Sequence, residues 1–175
     1  MRITRLSLAA LALSFALEGS AAAQAMFTAS IGNAFGGDAP STKSTWAVSI
    51  GGGGAHGIGS ELEFSKINNF FETADGVEYG EIMTLMPSIF VAVPIGPVHP
   101  YGSFGFGLIR VRTRENEGLL FSNVSDNDFG YSVGGGVTLK FARHAGIRGD
   151  LRHFQVRASR GIGFQRIMVG IVLGG

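Results

Sequence analysis

The most chemically suggestive residues of this chain are charged ones spaced two apart. Glu61 and Glu63 stand in GSELEFSK, and Arg148, Asp150 and Arg152 stand in HAGIRGDLRHF. In an extended strand a spacing of two puts every member of a set on one face. Facing sets of carboxylates and guanidiniums can serve acid–base catalysis in a cleft. They can also neutralise one another where water is excluded. The companions that catalysis would need do not appear. Asp150 and His153 fall on opposite faces of the same strand and form no dyad. Ser41, Ser44 and Ser49 lack the small-residue elbow that activates a serine nucleophile. His56, His99 and His144 fall in predicted short turns at one rim, with no spacing that specifies a metal. The GGGG run at 51–54 lacks the Lys-Ser/Thr of a phosphate-cradling loop, and no helical pattern comes after it. Cys is absent, which excludes disulfides and thiolate chemistry. No enzyme activity, cofactor or metal is therefore expected, and the ion-pair use is the one to pursue.

The elements that would position these charges are strands. The chain has 175 residues, 28 of them Gly and 14 Phe, a length that suits one domain. Residues 1–25 read as a secretory signal peptide: Arg2 and Arg5, then the apolar run LSLAALALSFAL, then a small-x-small site at Ala23-Gln24-Ala25. Removing them leaves 12 basic and 12 acidic residues in 26–175, a balance that gives no reason to expect nucleic acid. No later run is apolar enough for a membrane helix: Ile82 to Val98 is broken by Thr84, Pro87, Ser88, Pro94, Gly96 and Pro97.

Beyond residue 25 the chain alternates with period two. The expected strands are 26–33, 44–52, 57–66, 78–93, 101–113, 129–141, 146–157 and the run from Gly163. The strand 129–141 is the cleanest: Phe129, Tyr131, Val133, Val137, Leu139 and Phe141 share one face, with Gly130, Ser132, Gly134, Gly136, Thr138 and Lys140 on the other. In 101–113 the pattern conflicts with itself, since Phe104, Phe106 and Leu108 share the parity of Arg110 and Arg112; a bulge would reconcile the two halves. Long connections at 34–43, 67–77 and 114–128 alternate with short ones. That is the meander of an all-β, eight-stranded antiparallel up-and-down transmembrane β-barrel.

Which face meets lipid depends on size and chemistry. Eight strands enclose a space that side chains just fill. Large apolar residues therefore belong outside, and small residues with a few charges inside. The expected interior network comprises Glu61, Glu63, Arg110, Arg112, Lys140, Arg148, Asp150, Arg152 and Arg166. Buried charges persist only when paired and hydrogen-bonded. Trp46, Tyr79, Tyr101, Tyr131 and Phe141 lie near strand ends, where interfacial aromatics or core packing would both accept them.

FGYSVGGGVTLKF and HAGIRGDLRHF carry a resemblance, through Tyr131, Gly134, Gly136, Gly146, Arg148, Asp150 and Arg152. With the closing GFQRIMVGIVLGG, the chain resembles the small outer membrane β-barrel domain family of porin-like and OmpA/OmpX-type proteins, over nearly all of 26–175. The resemblance implies an outer-membrane location, contact with outer membrane lipids, and roles in envelope integrity, adhesion or host interaction. Members usually end in an aromatic residue; Leu173-Gly174-Gly175 departs from this and implies a divergent assembly signal. No peptidoglycan-binding domain comes after the barrel, so no cell-wall tether is expected. The expected function is a structural or surface-interaction barrel that contacts an extracellular ligand or protein through 34–43, 67–77 and 114–128. The alternatives are a narrow passive pore for small solutes and a soluble periplasmic lipocalin-like binding protein.

Overall fold

The computed structural model describes residues 24–39, 41–53, 57–68, 80–114, 123–156 and 162–174. Of the expected leader, residues 1–23 lie outside them, as do Tyr79 and His56. Gln24 and Ala25 already belong to the first strand, opposite Gly53 and Gly52. Eight strands run in order: β1 Gln24–Phe35, β2 Lys43–Gly53, β3 Ile58–Ile67, β4 Gly80–Ala92, β5 Val98–Arg114, β6 Asn123–Ala142, β7 Ala145–Val156 and β8 Gly163–Gly174. Each pairs antiparallel with the next, and β1 closes on β8 from Met26↔Gly174 to Phe35↔Gln165. Closure leaves no free edge within the barrel wall, which hydrocarbon requires of any sheet that spans it.

The alternation legible in sequence sets the two faces of the wall. Outward lie Phe27 and Ile31 on β1, Trp46, Val48 and Ile50 on β2, and Leu85, Ile89 and Val91 on β4. Phe129, Tyr131, Val133, Val137 and Leu139 on β6, and Ile167, Val169, Ile171 and Leu173 on β8, continue the band. This is an uninterrupted apolar belt of the kind that faces lipid.

Two expectations need correction. The strand 101–113 contains no bulge: the β5–β6 register runs unbroken from Val98↔Leu139 to Arg114↔Asn123. Phe104 and Phe106 point outward while Gly105, Gly107 and Ile109 are buried inside, so the outward parity of β5 is the one that carries Arg110. Glycine at 105 is needed there, because a Cβ would stand 2.8 Å from both Met86 Cγ and Ser132 Oγ. Nor is 114–128 a loop throughout. β6 begins at Asn123, and the paired arms of β5 and β6 extend beyond the point, Gly130↔Val156, where the β6–β7 ladder starts.

The interior is layered and not uniformly polar. Ala34, Ile67, Ile82, Met86, Ile109, Phe154, Val156 and Phe164 form a buried apolar cluster inside the wall. It occupies the end of the barrel that bears the β1–β2, β3–β4, β5–β6 and β7–β8 connections. The β1–β2 turn is strapped down beside it: Asp38 N–H donates to Gly163 O (2.8 Å), and Gly163 N–H donates to Asp38 Oδ2 (2.7 Å). Ala39 and Ile162 pack against the cluster. Gly36 and Gly37, at φ 67° and 62°, supply the left-handed turn that brings Asp38 there.

Val169 is 58% exposed and lies in the middle of the apolar run of β8. Val169→Arg is expected to destabilise the folded barrel by about 2–4 kcal/mol in reversible urea titrations from phospholipid vesicles, the depth-dependent penalty for a lipid-facing charge. An unchanged midpoint would contradict a lipid-facing position.

Candidate functional site

The charged residues meet inside the barrel, on the short-turn side of the apolar cluster. β3 and β7 stand four strands apart in a ring of eight, so they are opposite walls. From β3 come Glu61 and Glu63. Arg148, Asp150 and Arg152 come from β7, and Arg166 from the adjoining β8. All six are buried, Arg152 and Arg166 to 1% and 0% exposure.

Glu61 is held by two guanidiniums. Arg148 Nη1 donates to Glu61 Oε2, and Arg152 Nη2 donates to Glu61 Oε1 at 3.0 Å. Arg152 also faces Glu63 Oε2 at 3.4 Å and Asp150 Oδ1 at 3.6 Å. Arg166 Nη2 donates to Glu63 Oε1 at 2.6 Å, and its Nη1 donates to Ser65 Oγ at 2.8 Å. Ser65 in turn shares a 2.7 Å hydrogen bond with Thr84. Three carboxylates and three guanidiniums thus alternate across the lumen with no net charge. Each charge has an opposite neighbour, as buried ions require, although Asp150 Oδ1, Arg152 Nε and Nη1 and Arg166 Nε make no hydrogen bond.

Two aromatic rings join the lattice to its surroundings. Arg148 lies 4.4 Å from the centroid of the Tyr101 ring, and Arg166 lies 4.6 Å from that of Phe154. Phe154 stacks on Phe164 at 5.0 Å, which couples the charges to the apolar cluster above. The Tyr101 hydroxyl accepts from Arg148 Nε (2.6 Å) and donates to Asp150 Oδ2 (3.2 Å), so it bridges opposite charges.

Glycine makes room for this. Gly134 and Gly136 on β6 pair with Arg152 and Asp150. A Cβ at Gly134 would stand 2.7 Å from Arg152 Cα and 2.9 Å from its Cγ. At Gly136 it would stand 2.8 Å from Asp150 Cα and Cβ. The glycines legible in GYSVGGGV are thus the wall against which the β7 charges lie.

Of the nine residues expected in the network, Glu61, Glu63, Arg148, Asp150, Arg152 and Arg166 come together. Arg110 does not. It lies on the outer face of β5, opposite Met83 and Asn127. The composition of Ile109 suggests a lipid-facing residue, but Ile109 belongs to the inner apolar cluster and so turns Arg110 outward. Arg112 is placed by register opposite Glu81 and Ser125, on the parity of Arg110, and its side chain lies outside the described residues. Lys140 has the inward parity but sits near the short-turn rim, opposite Gly146, and makes none of these ion pairs. Tyr101 is the residue that sequence reasoning missed. Its inward parity with Gly105 and Gly107 was the available signal. Asp150 and His153 do occupy opposite faces, buried and half-buried. His99 Nε2 lies 3.1 Å from Gly96 O, and His144 is exposed, both at the short-turn rim.

Glu61→Ala leaves two buried guanidiniums short of a counter-charge and is expected to cost about 3–5 kcal/mol of folding stability. Tyr101→Phe removes two hydrogen bonds to charged groups and is expected to cost about 1.5–3 kcal/mol. Urea titration of the refolded barrel in vesicles measures both. Wild-type midpoints in both variants would mean that the lattice carries no structural weight.

The family model of the outer membrane protein beta-barrel domain matches residues 4–172. No curated protein sequence matches the chain. Among solved structures, Neisserial surface protein A is similar at TM-score 0.69 and 13% identity, over 89% of this chain and 99% of that one. The attachment invasion locus protein of Yersinia pestis, in complex with the heparin analogue sucrose octasulfate, is similar at 0.61 and 12%, over 89% and 100%. The N-terminal barrel domain of Pseudomonas aeruginosa OprF is similar at 0.55 and 16%, over 85% and 97%. At these identities the likeness is one of fold.

Proposed function

The chain belongs to the outer membrane protein β-barrel domain family, and from that premise we propose that it is a closed scaffold for surface interaction, neither a pore nor an enzyme. It resides in the outer membrane. The soluble periplasmic alternative fails on the apolar belt, which would stand in water around the whole wall.

The observation that carries the proposal is the doubly filled lumen. A solute entering from the short-turn rim meets the Glu61–Arg148–Arg152 lattice. Beyond it lie Ile67, Ile82, Phe154 and Phe164, packed without exposure to solvent. Ions are opposed by the second layer and apolar solutes by the first. The carboxylates that acid–base chemistry would use are all committed to guanidiniums inside the wall. What remains for function is the long-connection rim, where loops on a rigid wall commonly carry binding. That rim includes the β1–β2 turn, the β3–β4 connection and the projecting β5–β6 arms. The Yersinia barrel solved with a heparin analogue supports the reading that this scaffold can present a ligand surface.

Planar-bilayer recording with the refolded protein tests the proposal. No discrete conductance steps are expected at neutral pH. Reproducible steps that disappear when the protein is boiled would overturn it in favour of the narrow-pore alternative.

A further inference from the structure

The outward-facing apolar band has two heights. On β8 it occupies four alternate positions, Ile167 to Leu173, and stops above at exposed Gln165. On β1 it runs from Ala25 to Ile31 and stops at exposed Asn33, and on β7 it runs from Ala145 to Leu151 and stops at half-buried His153. On β2 it runs from Trp46 to Gly52, below exposed Ser44. On β3 it runs from Ile58 to Phe64, with Ser60 among them, below Lys66. The other three strands carry a longer band. Every second residue from Met83 to Val93 along β4, from Val98 to Leu108 on β5 and from Phe129 to Phe141 on β6 is apolar or glycine. That is six or seven positions against four. Strands rise about 3.3 Å per residue and lean about 40° from the barrel axis, so four alternate positions cover about 15 Å of height and six or seven cover about 25–30 Å. The apolar band of a transmembrane barrel is about 25 Å tall, and only the β4–β6 wall matches it.

Tilting the barrel cannot level the two walls, because the tall one overreaches at both ends. At the β3–β4 seam Met83 stands beside Lys66 above. Below, Val93 and Ile95 lie beyond the last pair, Ile58↔Val91, and are 56% and 63% exposed. At the β6–β7 seam Tyr131 and Val133 stand beside Gln155 and His153, and Phe129 lies higher still. The lower overreach is fitted to hydrocarbon in its backbone as well. In the β4–β5 turn Pro94, Pro97 and Pro100 have no N–H to satisfy. The N–H groups of Val93, Ile95 and Val98 donate to Pro100 O (2.9 Å), Val98 O (2.9 Å) and Ile95 O (3.2 Å). The β6–β7 turn, by contrast, exposes Arg143 and His144.

We propose that the wall formed by β7, β8, β1, β2 and β3 is a bilayer-thinning surface whose partner is phospholipid with short acyl chains. A band shorter than the hydrocarbon around it is accommodated by local thinning, and lipids of shorter chain relieve that mismatch. The β4–β6 wall holds bilayer of ordinary thickness. The membrane is thus thin on one side of the molecule and full on the other. The inference rests on the outer wall alone and is independent of whether the lumen conducts.

Trp46 is the only tryptophan, so a single fluorescent probe can be moved from place to place. In a Trp46→Phe background, Ile171→Trp places a probe on the short wall and Phe104→Trp places one on the tall wall. Both proteins are refolded into phosphatidylcholine vesicles, and the heat-dependent shift on SDS gels verifies folding. Acyl-brominated dioleoyl phosphatidylcholine quenches each probe, and unbrominated dimyristoleoyl or dioleoyl phosphatidylcholine competes with it. At position 171 the short-chain lipid is expected to displace the quencher about twofold or more better than the long-chain one, the scale of a modest mismatch cost. At position 104 no such advantage is expected. Asn33→Leu/His153→Leu/Gln165→Leu raises the short band by one row and is expected to reduce the advantage at 171. An equal advantage at both positions would overturn the proposal in favour of a uniform bilayer around the barrel. No advantage at either would overturn it and mean that the polar rows stand within full-thickness hydrocarbon. An advantage at 171 that survives the triple substitution undiminished would overturn the assignment to band height.

Discussion

A backbone N–H or C=O that loses its partner in hydrocarbon has no water to turn to. The remaining features of this molecule can be traced to that constraint. It forces the sheet to close, and β1 meets β8 along ten residue pairs from Met26 to Phe35. Closure at eight strands leaves a lumen that side chains must fill. Filling it with bulk alone would crowd the wall, so glycine alternates with the few large residues that cross the space. Gly134 and Gly136 face Arg152 and Asp150 for this reason.

The lumen is filled in two chemically distinct ways. Half of it is a neutral lattice in which Glu61 and Glu63 reach across the full width to Arg148, Arg152 and Arg166. The other half is an apolar cluster around Phe154 and Phe164. Arg166 lies over the ring of Phe154, so the two layers are in contact at that point. An ionic lattice alone could exchange partners and admit water. An apolar cluster alone would give no register to opposite walls. Together they tie β3 to β7 and β8 at fixed height, which leaves the rim connections on a stiff base.

The outer surface divides on similar lines. The belt is apolar all round, as lipid demands, but its upper boundary is uneven. On β3–β5 it ends in Lys66 and Arg110, and on β7–β8 it ends in His153 and Gln165. The β5–β6 arms continue upward from the charged side, since their ladder outlasts the β6–β7 ladder. Above the belt water can satisfy a strand edge, so the closure rule no longer applies there.

Period-two alternation and the spacing of turn residues are enough to read eight strands, their order and the lipid-facing side. The strand at 129–141 shows why: large apolar residues against Gly, Ser and Thr admit one orientation in so narrow a barrel. The spacing of Glu61 with Glu63, and of Arg148 with Asp150 and Arg152, likewise puts each set on one face before any partner is known. Which carboxylate meets which guanidinium is not legible, because β3 and β7 lie 87 residues apart at Glu61 and Arg148 and meet only through closure. The apolar layer inside the wall is hidden for a related reason. Ile109 and Phe154 have the composition of lipid-facing residues, but they share the parity of Gly105 and Gly107 and of Arg148, Asp150 and Arg152, which the closed barrel turns inward. That same ambiguity misplaces Arg110 and conceals Tyr101. Local sequence determines the parity of a strand, but which parity points inward, and at what depth, is decided by the ring of neighbours that tertiary structure assembles.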